Sequence, residues 1–112
     1  MKIAIPTVNN QLARHFGHCQ EFTIFDVDTE TGSVKGSTTT DPPPHEPGVL
    51  PRWLNQQGVD LVLAGGMGRR AQGLFADNGI EVVVGAEPEE PETIVKQYLT
   101  GELSTGANPC AH

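Results

Sequence analysis

The densest group of residues that could do chemistry lies between positions 14 and 19, where three metal-donor side chains follow an arginine. Imidazole nitrogen and thiolate sulfur are ligands for zinc, copper, iron and iron–sulfur clusters, and close spacing lets two donors bind one ion. The same donor types recur in the last three residues, and a further histidine lies in a proline-rich connector. The candidate metal ligands are therefore His15, His18, Cys19, His45, Cys110 and His112. The alternative is that these are polar loop histidines, a small core cysteine and an incidental terminal pair.

A second group is the glycine turn 65–68, which is followed directly by Arg69 and Arg70. Backbone N–H groups at a helix N-terminus attract anions, and glycines let a ligand approach the main chain closely. Two arginines in the first helical turn oppose the helix dipole, so they are easier to understand if they face an anionic ligand. The alternative is a close-packed glycine turn with two solvated arginines.

The distribution of charge links the two groups. Residues 1–20 and residues 61–76 contain no Asp or Glu, although the whole chain has a net charge of −7. The first segment carries Arg14 and the second carries Arg69 and Arg70. Both segments follow predicted strands, at the strand ends where open α/β sheets bind ligands. We therefore predict one locally positive pocket formed by both segments.

Alternation and helical periodicity predict the elements that position these groups. A short strand at 3–5 ends at Pro6, and a hairpin follows whose second strand is polar on both faces, as expected at a sheet edge. The predicted elements are strands at 3–5, 21–28, 33–40, 60–64 and 80–84 and helices at 49–57, 69–78 and 91–100. This order predicts an α/β fold with a mixed five-stranded sheet flanked by helices, with right-handed crossovers. We expect a single domain over 1–103 and a flexible C-terminal tail over 104–112.

Composition excludes several classes of protein. An acidic chain is a poor general binder of nucleic acid or of anionic membranes, because both are held by clustered Lys and Arg. No apolar run approaches the ~20 residues of a membrane span. The N-terminus enters a strand at once and shows no signal peptide, so we expect a cytoplasmic protein. In that setting, the wide separation of Cys19 and Cys110 favours metal or thiol chemistry over a structural disulfide.

Three enzyme classes fit the chain less well than a binding protein. Gly66, Gly68 and Ala71 match a dinucleotide fingerprint with Glu87 downstream, but 112 residues are too few for that domain and a substrate site. A metal-dependent nuclease needs clustered carboxylates, and the first predicted strand has none. A Cys–His nucleophile pair lacks an assignable oxyanion donor. We therefore predict no catalytic residues.

Five segments together resemble the family of dinitrogenase iron–molybdenum cofactor biosynthesis proteins, which are small cluster carriers and accessory domains. They are Met-Lys-Ile-Ala-Ile-Pro at 1–6, Arg-His-Phe-Gly-His-Cys at 14–19, Phe-Thr-Ile-Phe-Asp-Val at 22–27, Gly-Val-Asp-Leu-Val-Leu-Ala-Gly-Gly-Met-Gly at 58–68 and Asn-Gly-Ile-Glu-Val at 78–82. The resemblance covers nearly the whole chain and is specific as a combination.

The resemblance implies a ribonuclease H-like fold without nuclease activity that binds a metal–sulfur cluster or its precursor. Some relatives, the orange proteins of anaerobic bacteria, hold an anionic molybdenum–copper sulfide cluster without covalent ligation. The resemblance implies that the binding residues are Arg14, Phe16, Gly17, Gly65, Gly66, Met67, Gly68, Arg69 and Arg70.

Cluster binding therefore defines the predicted function. We predict a non-catalytic carrier or store of a Mo-Fe-S, Fe-S or Mo-Cu-S cluster, with donor and acceptor proteins as partners. We expect a monomer or weak homodimer that binds neither nucleic acid nor membrane. The alternatives are a protein-interaction or regulatory module and, less favoured, a small thiol- or nucleotide-dependent enzyme.

Overall fold

The structure is a computed structural model that describes residues 1–14, 16, 20–43, 48–103 and 105–106. Within these ranges a sheet of six strands is flanked by three helices. In chain order the elements are β1 (Lys2–Val8), β2 (Gln11–Leu12), β3 (Glu21–Asp28), β4 (Ser33–Thr40), α1 (Val49–Gln56), β5 (Leu61–Leu63), α2 (Arg69–Asp77), β6 (Glu81–Val83) and α3 (Pro91–Thr100).

The strands run across the sheet in the order β4-β3-β1-β5-β6, and the short β2 pairs with β1 off this path. The β4–β3–β1 part is antiparallel, whereas β1, β5 and β6 are parallel. This arrangement confirms the predicted mixed α/β sheet and the position of β4 at an edge. The sequence pattern missed β2, which follows a two-residue turn of Asn9 and Asn10 with φ of 53° and 63°. Asparagine tolerates this left-handed conformation, which tight hairpins require.

The prediction that Pro6 ends the first strand is wrong, because β1 continues to Val8. Pro6 pairs with Phe22 on β3, and its carbonyl accepts a hydrogen bond of 2.8 Å from the Ala13 nitrogen. Since the nitrogen and carbonyl of one strand residue point to the same side, the Pro6 nitrogen faces away from β3. The described pairing of β1 with β5 ends at Ala4, so no ladder donor is lost at Pro6.

Side chains alternate between the two faces of the sheet and build two apolar cores. Val62 joins the core beneath α1 and α2, whereas its neighbours Leu61 and Leu63 join the core beneath α3. This alternation is the two-residue period of a strand that is buried on both faces. None of the helices in the described ranges is long and apolar enough to cross a membrane. Because β1, β5 and β6 are parallel, their carboxyl ends lie at the same end of the sheet.

Candidate functional site

The two acid-free segments meet at the carboxyl ends of β1 and β5. The Phe16 nitrogen donates a hydrogen bond of 2.8 Å to the carbonyl of Gly66. A Cβ placed on Gly65 would lie 2.9 Å from the Arg14 carbonyl oxygen and 3.0 Å from that of Ala13. Real Cβ atoms do not approach backbone oxygens this closely, so the contact requires glycine at position 65. The segment that begins at Arg14 and includes Phe16, called the Arg14 loop below, therefore contacts the glycine turn 65–68, as predicted.

Phe16 attaches the Arg14 loop to the core through its ring. The ring is half-buried and lies edge-on to Phe75 and Phe22, with centroid distances of 5.5 and 6.0 Å. Phe22 in turn contacts Trp53 of α1 at 5.8 Å. Edge-to-face pairs of this kind stabilise beyond the area they bury. Phe16 thus fixes where the loop crosses the sheet edge, and direct contact between Phe16 and a ligand stays a prediction.

The glycine turn leads into α2 without an acidic side chain at the helix start. Gly68 is the N-cap residue, no side chain caps the helix, and the first turn holds no Asp or Glu. Arg69 and Arg70 are exposed, and within the described ranges neither forms an ion pair. Their charges are therefore available to an anion from solution, as is that of the exposed Arg14.

Met67 lies in the core beneath α1 and α2 and is completely buried. Its carbonyl accepts a hydrogen bond of 2.9 Å from the Gln72 side chain, which closes the turn onto α2. Gly65 and Gly66 are buried as well, whereas Gly68 is partly exposed. The side chain of Met67 therefore presents no surface here, and its predicted contact with a ligand stays a prediction.

A third segment, which the sequence analysis missed, completes this edge of the sheet after β6. The Gly85 nitrogen donates to the Gly65 carbonyl and the Gly106 nitrogen donates to the Gly85 carbonyl, each at 2.7 Å. Gly85 has a φ of 88°, and a Cβ there would collide with the Gly106 carbonyl. The sequence predicts two strands, at 60–64 and 80–84, that are joined by a helix. Such strands are parallel neighbours, so the residues that follow each of them lie close together. Part of the chain assigned to the tail is thus paired, since Thr105 also bridges to Ala86.

A cavity of about 210 Å³ lies between these segments, and Arg14, Gly65, Gly85, Glu87 and Gly106 are among its lining residues. Glu87 and Arg14, which are both exposed, line this cavity together. The charge at this end of the sheet is therefore not uniformly positive. Arg69 and Arg70 lie at the start of α2, whereas Glu87 lies on the β6 side. An anion would be favoured on the α2 side of the turn.

The remaining candidate residues, His15, Gly17, His18, Cys19, His45, Cys110 and His112, lie outside the described residues. Among the residues that are described, no group of three or more His, Cys, Asp or Glu side chains could hold a metal ion. The only resolved pKa shift in that part of the chain is that of Asp28, whose carboxylate accepts backbone hydrogen bonds from Glu30 and Thr31 that lower its pKa. Asp28 ends β3, which runs antiparallel to β1, so it lies at the opposite end of the strands from the candidate site. This pKa shift is therefore structural and does not concern that site.

Comparison with known proteins gives a family match and close likenesses. The family model described as dinitrogenase iron-molybdenum cofactor matches residues 1–101. The uncharacterized protein MJ0580 of Methanocaldococcus jannaschii is 32% identical over 108 residues, which are 92% of this chain and 89% of that protein.

Two solved structures have the same fold. The crystal structure of PH0822 has a TM-score of 0.85 and 30% identity, and the match covers 95% of this chain and 96% of that one. The apo form of the orange protein from Desulfovibrio gigas has a TM-score of 0.72 and 22% identity, over 96% of this chain and 94% of that one. At this lower identity, the likeness to the orange protein concerns the fold alone.

Proposed function

This chain belongs to the dinitrogenase iron-molybdenum cofactor family, and from that premise we propose that it is a non-catalytic protein that binds, carries or stores a metal–sulfide cluster. The cargo would be a molybdenum- or iron-containing sulfide cluster or its precursor, and copper is a candidate second metal. The protein would work in the cytoplasm and exchange the cluster with donor and acceptor proteins.

The observation that carries the proposal is the direct contact between the two acid-free segments. The Phe16–Gly66 hydrogen bond and the close approach at Gly65 bring them together in a chain whose net charge is −7. The segments contribute three exposed arginines, at positions 14, 69 and 70. A sulfide cluster with negative charge favours such a surface, because guanidinium groups donate several hydrogen bonds as well as charge.

Soft donors would complete the site. His15, His18 and Cys19 flank the anchored Phe16 in sequence, so they lie within one to three residues of a fixed point at this edge. In this proposal they bind the metals directly, and the arginines offset the charge of the sulfides. His45, Cys110 and His112 are proposed as secondary donors.

Anaerobic titration with tetrathiomolybdate, with and without copper, tests the proposal. The test variant is Arg14→Ser/Arg69→Ser/Arg70→Ser. The control is Lys35→Ser/Arg52→Ser/Lys96→Ser, which removes three exposed cations elsewhere and changes the net charge equally. We expect the test variant to bind at least about tenfold more weakly and the control to bind like the wild type.

Three results would count against this proposal. Equal weakening in both triple variants would mean that only the overall charge matters and that the site lies elsewhere. A wild-type protein that takes up neither thiomolybdate nor iron sulfide would favour the interaction-module alternative. Binding that does not respond to salt would contradict the part assigned to the exposed arginines, because charge pairs at a surface are screened by salt.

A further inference from the structure

The two edges of the sheet differ in how they are protected against pairing with another strand. At the β4 edge, the register with β3 shifts between Asp26 and Val27, so Lys35 is left without a partner in a bulge. A bulge and a lysine are two devices by which proteins block edge pairing. At the β6 edge, the described residues include neither a bulge nor a lysine, and Val82 and Val83 are half-buried, although β6 is only three residues long and begins at the exposed Glu81. The β6 edge is therefore the one suited to accept another strand.

The backbone of β6 is oriented to pair outward at Val82. The Glu81 nitrogen donates to Asp60 at 3.1 Å, and the Val83 carbonyl accepts from Ala64 at 2.8 Å. Residues 81 and 83 thus use their backbone groups toward β5. Because strand residues alternate, the N–H and carbonyl of Val82 face away from β5, toward an edge at which none of the described strands pairs with β6.

An apolar groove of about 650 Å³ runs between this edge and α2, and Gly73, Ala76, Ile80 and Val82 are among its lining residues. A Cβ built on Gly73 meets no atom within 4 Å, so the helix surface is open there. An antiparallel strand centred on Val82 would place its own apolar side chains over this groove. The groove and the edge therefore form one continuous surface.

The charges on α2 indicate what covers this surface. Arg69 and Asp77 are at the two ends of the helix, each four residues from Gly73, so both lie on the same helical face as Gly73. They are about 12 Å apart along the axis, too far to pair within one helix. A second copy related by a two-fold axis near Gly73 would place each Arg69 beside the other copy's Asp77.

We propose that this face binds a second copy of the chain, with β6 pairing antiparallel to its counterpart around Val82 and α2 crossing its counterpart at Gly73. In this pairing Ile80 of one copy faces Val84 of the other, on the groove side of the sheet. The two sheets become one continuous sheet. The candidate cluster site of each copy lies at the carboxyl ends of its own strands, and Arg69 is the one residue that both proposals use, so the dimer is tested without added metal.

Sedimentation equilibrium between about 1 and 500 µM, without added metal, tests the proposal through a charge exchange. Asp77→Arg places like charges opposite each other at two symmetric positions, and we expect it to raise the dimer Kd by roughly tenfold or more. Arg69→Asp should do the same. The double exchange Arg69→Asp/Asp77→Arg should restore dimerisation. Glu30→Arg, in the β3–β4 turn, makes the same charge change as Asp77→Arg and should leave the Kd unchanged.

A second variant tests the strand. Val82→Pro removes a donor that faces the open edge and none that β5 uses, so it should abolish the dimer while circular dichroism still shows a folded monomer. A wild type that is monomeric across the whole range would overturn the proposal. So would a double exchange that remains as weak as its two parent variants.

Discussion

The contact between Gly65 and the Arg14 loop makes a quantitative prediction for Gly65→Ala. The new methyl group would lie 2.9 and 3.0 Å from two backbone oxygens and 3.3 Å from a backbone Cα. Rotation of a side chain cannot relieve contacts with backbone atoms, so the loop has to move. Overpacking of this kind costs about 1–3 kcal/mol. Gly65 does not have a left-handed φ, so no backbone strain is added.

The net effect follows from two opposing contributions. Replacing glycine with alanine stiffens the unfolded chain, which returns about 0.5–1 kcal/mol. From the middle of each range, we expect a net loss of about 1.25 kcal/mol in the free energy of unfolding, and a fall in Tm of roughly 5 °C for a domain of this size. Chemical denaturation and differential scanning calorimetry measure both quantities.

Gly73→Ala, measured at a concentration where the chain is monomeric, is the matched control. Gly73 lies inside α2, where a Cβ meets nothing within 4 Å, so alanine should stabilise the chain by about 0.5–1 kcal/mol. Gly65→Ala should also weaken tetrathiomolybdate binding, because it separates the two segments, whereas Gly73→Ala should not. If Gly65→Ala melted within 1 °C of the wild type, the two backbones would not be in contact and the proposed site would lose its basis.

Four further changes have defined outcomes. Phe16→Ala should cost about 2 kcal/mol by urea denaturation, since a half-buried ring loses two aromatic neighbours; a cost near zero would mean that the loop is not anchored there. Gly85→Ala should speed hydrogen exchange at the Gly106 amide, because its methyl would displace that segment; unchanged exchange would contradict the pairing. Glu87→Gln should tighten anion binding near Arg14, and weaker binding would show that the carboxylate supports the site. Asp28→Ala should lower the free energy of unfolding at pH 7. Because the pKa of Asp28 is lowered in the folded state, its contribution to stability is lost as the pH falls below the ordinary pKa of 3.8, so the difference in stability between the variant and the wild type should shrink there. A difference in stability that stays constant down to pH 2.5 would refute this.

The order of the elements could be predicted because each one carries a local signal. Gly58, Gly79 and Gly101 follow the three helices in left-handed conformations, as stop signals do. Pro51 lies in the first turn of α1, where a proline is tolerated. Buried strands with valine and leucine on both faces indicated the parallel part of the sheet.

The errors concern features that depend on tertiary pairing. Because proline lacks a donor, Pro6 predicts a strand end, but that donor would have faced a side where the described β1 has no β5 partner. The two residues of β2 are too few for any periodicity. No local pattern showed that Gly85 and Gly106 would hydrogen-bond, because 21 positions separate them.

The candidate site was predictable only in part. The absence of acids from two distant segments predicted that they would form one pocket, and the contacts of Gly65 and Phe16 bring them together. The approach of Glu87 from the β6 side was not predictable from charge counts, since it depends on the order of strands in the sheet. The burial of Met67 was missed because a residue in a glycine turn gives no period from which its burial could be read.

Elemental analysis with an ultraviolet–visible spectrum tests the central claim most directly. The full chain should be purified anaerobically without a histidine tag, since a tag would itself bind metals. We expect molybdenum or iron near one cluster per chain, with sulfide and with sulfide-to-metal charge-transfer bands. A colourless protein without these metals, which also stays colourless after incubation with tetrathiomolybdate and copper, would contradict the assignment as a cluster carrier.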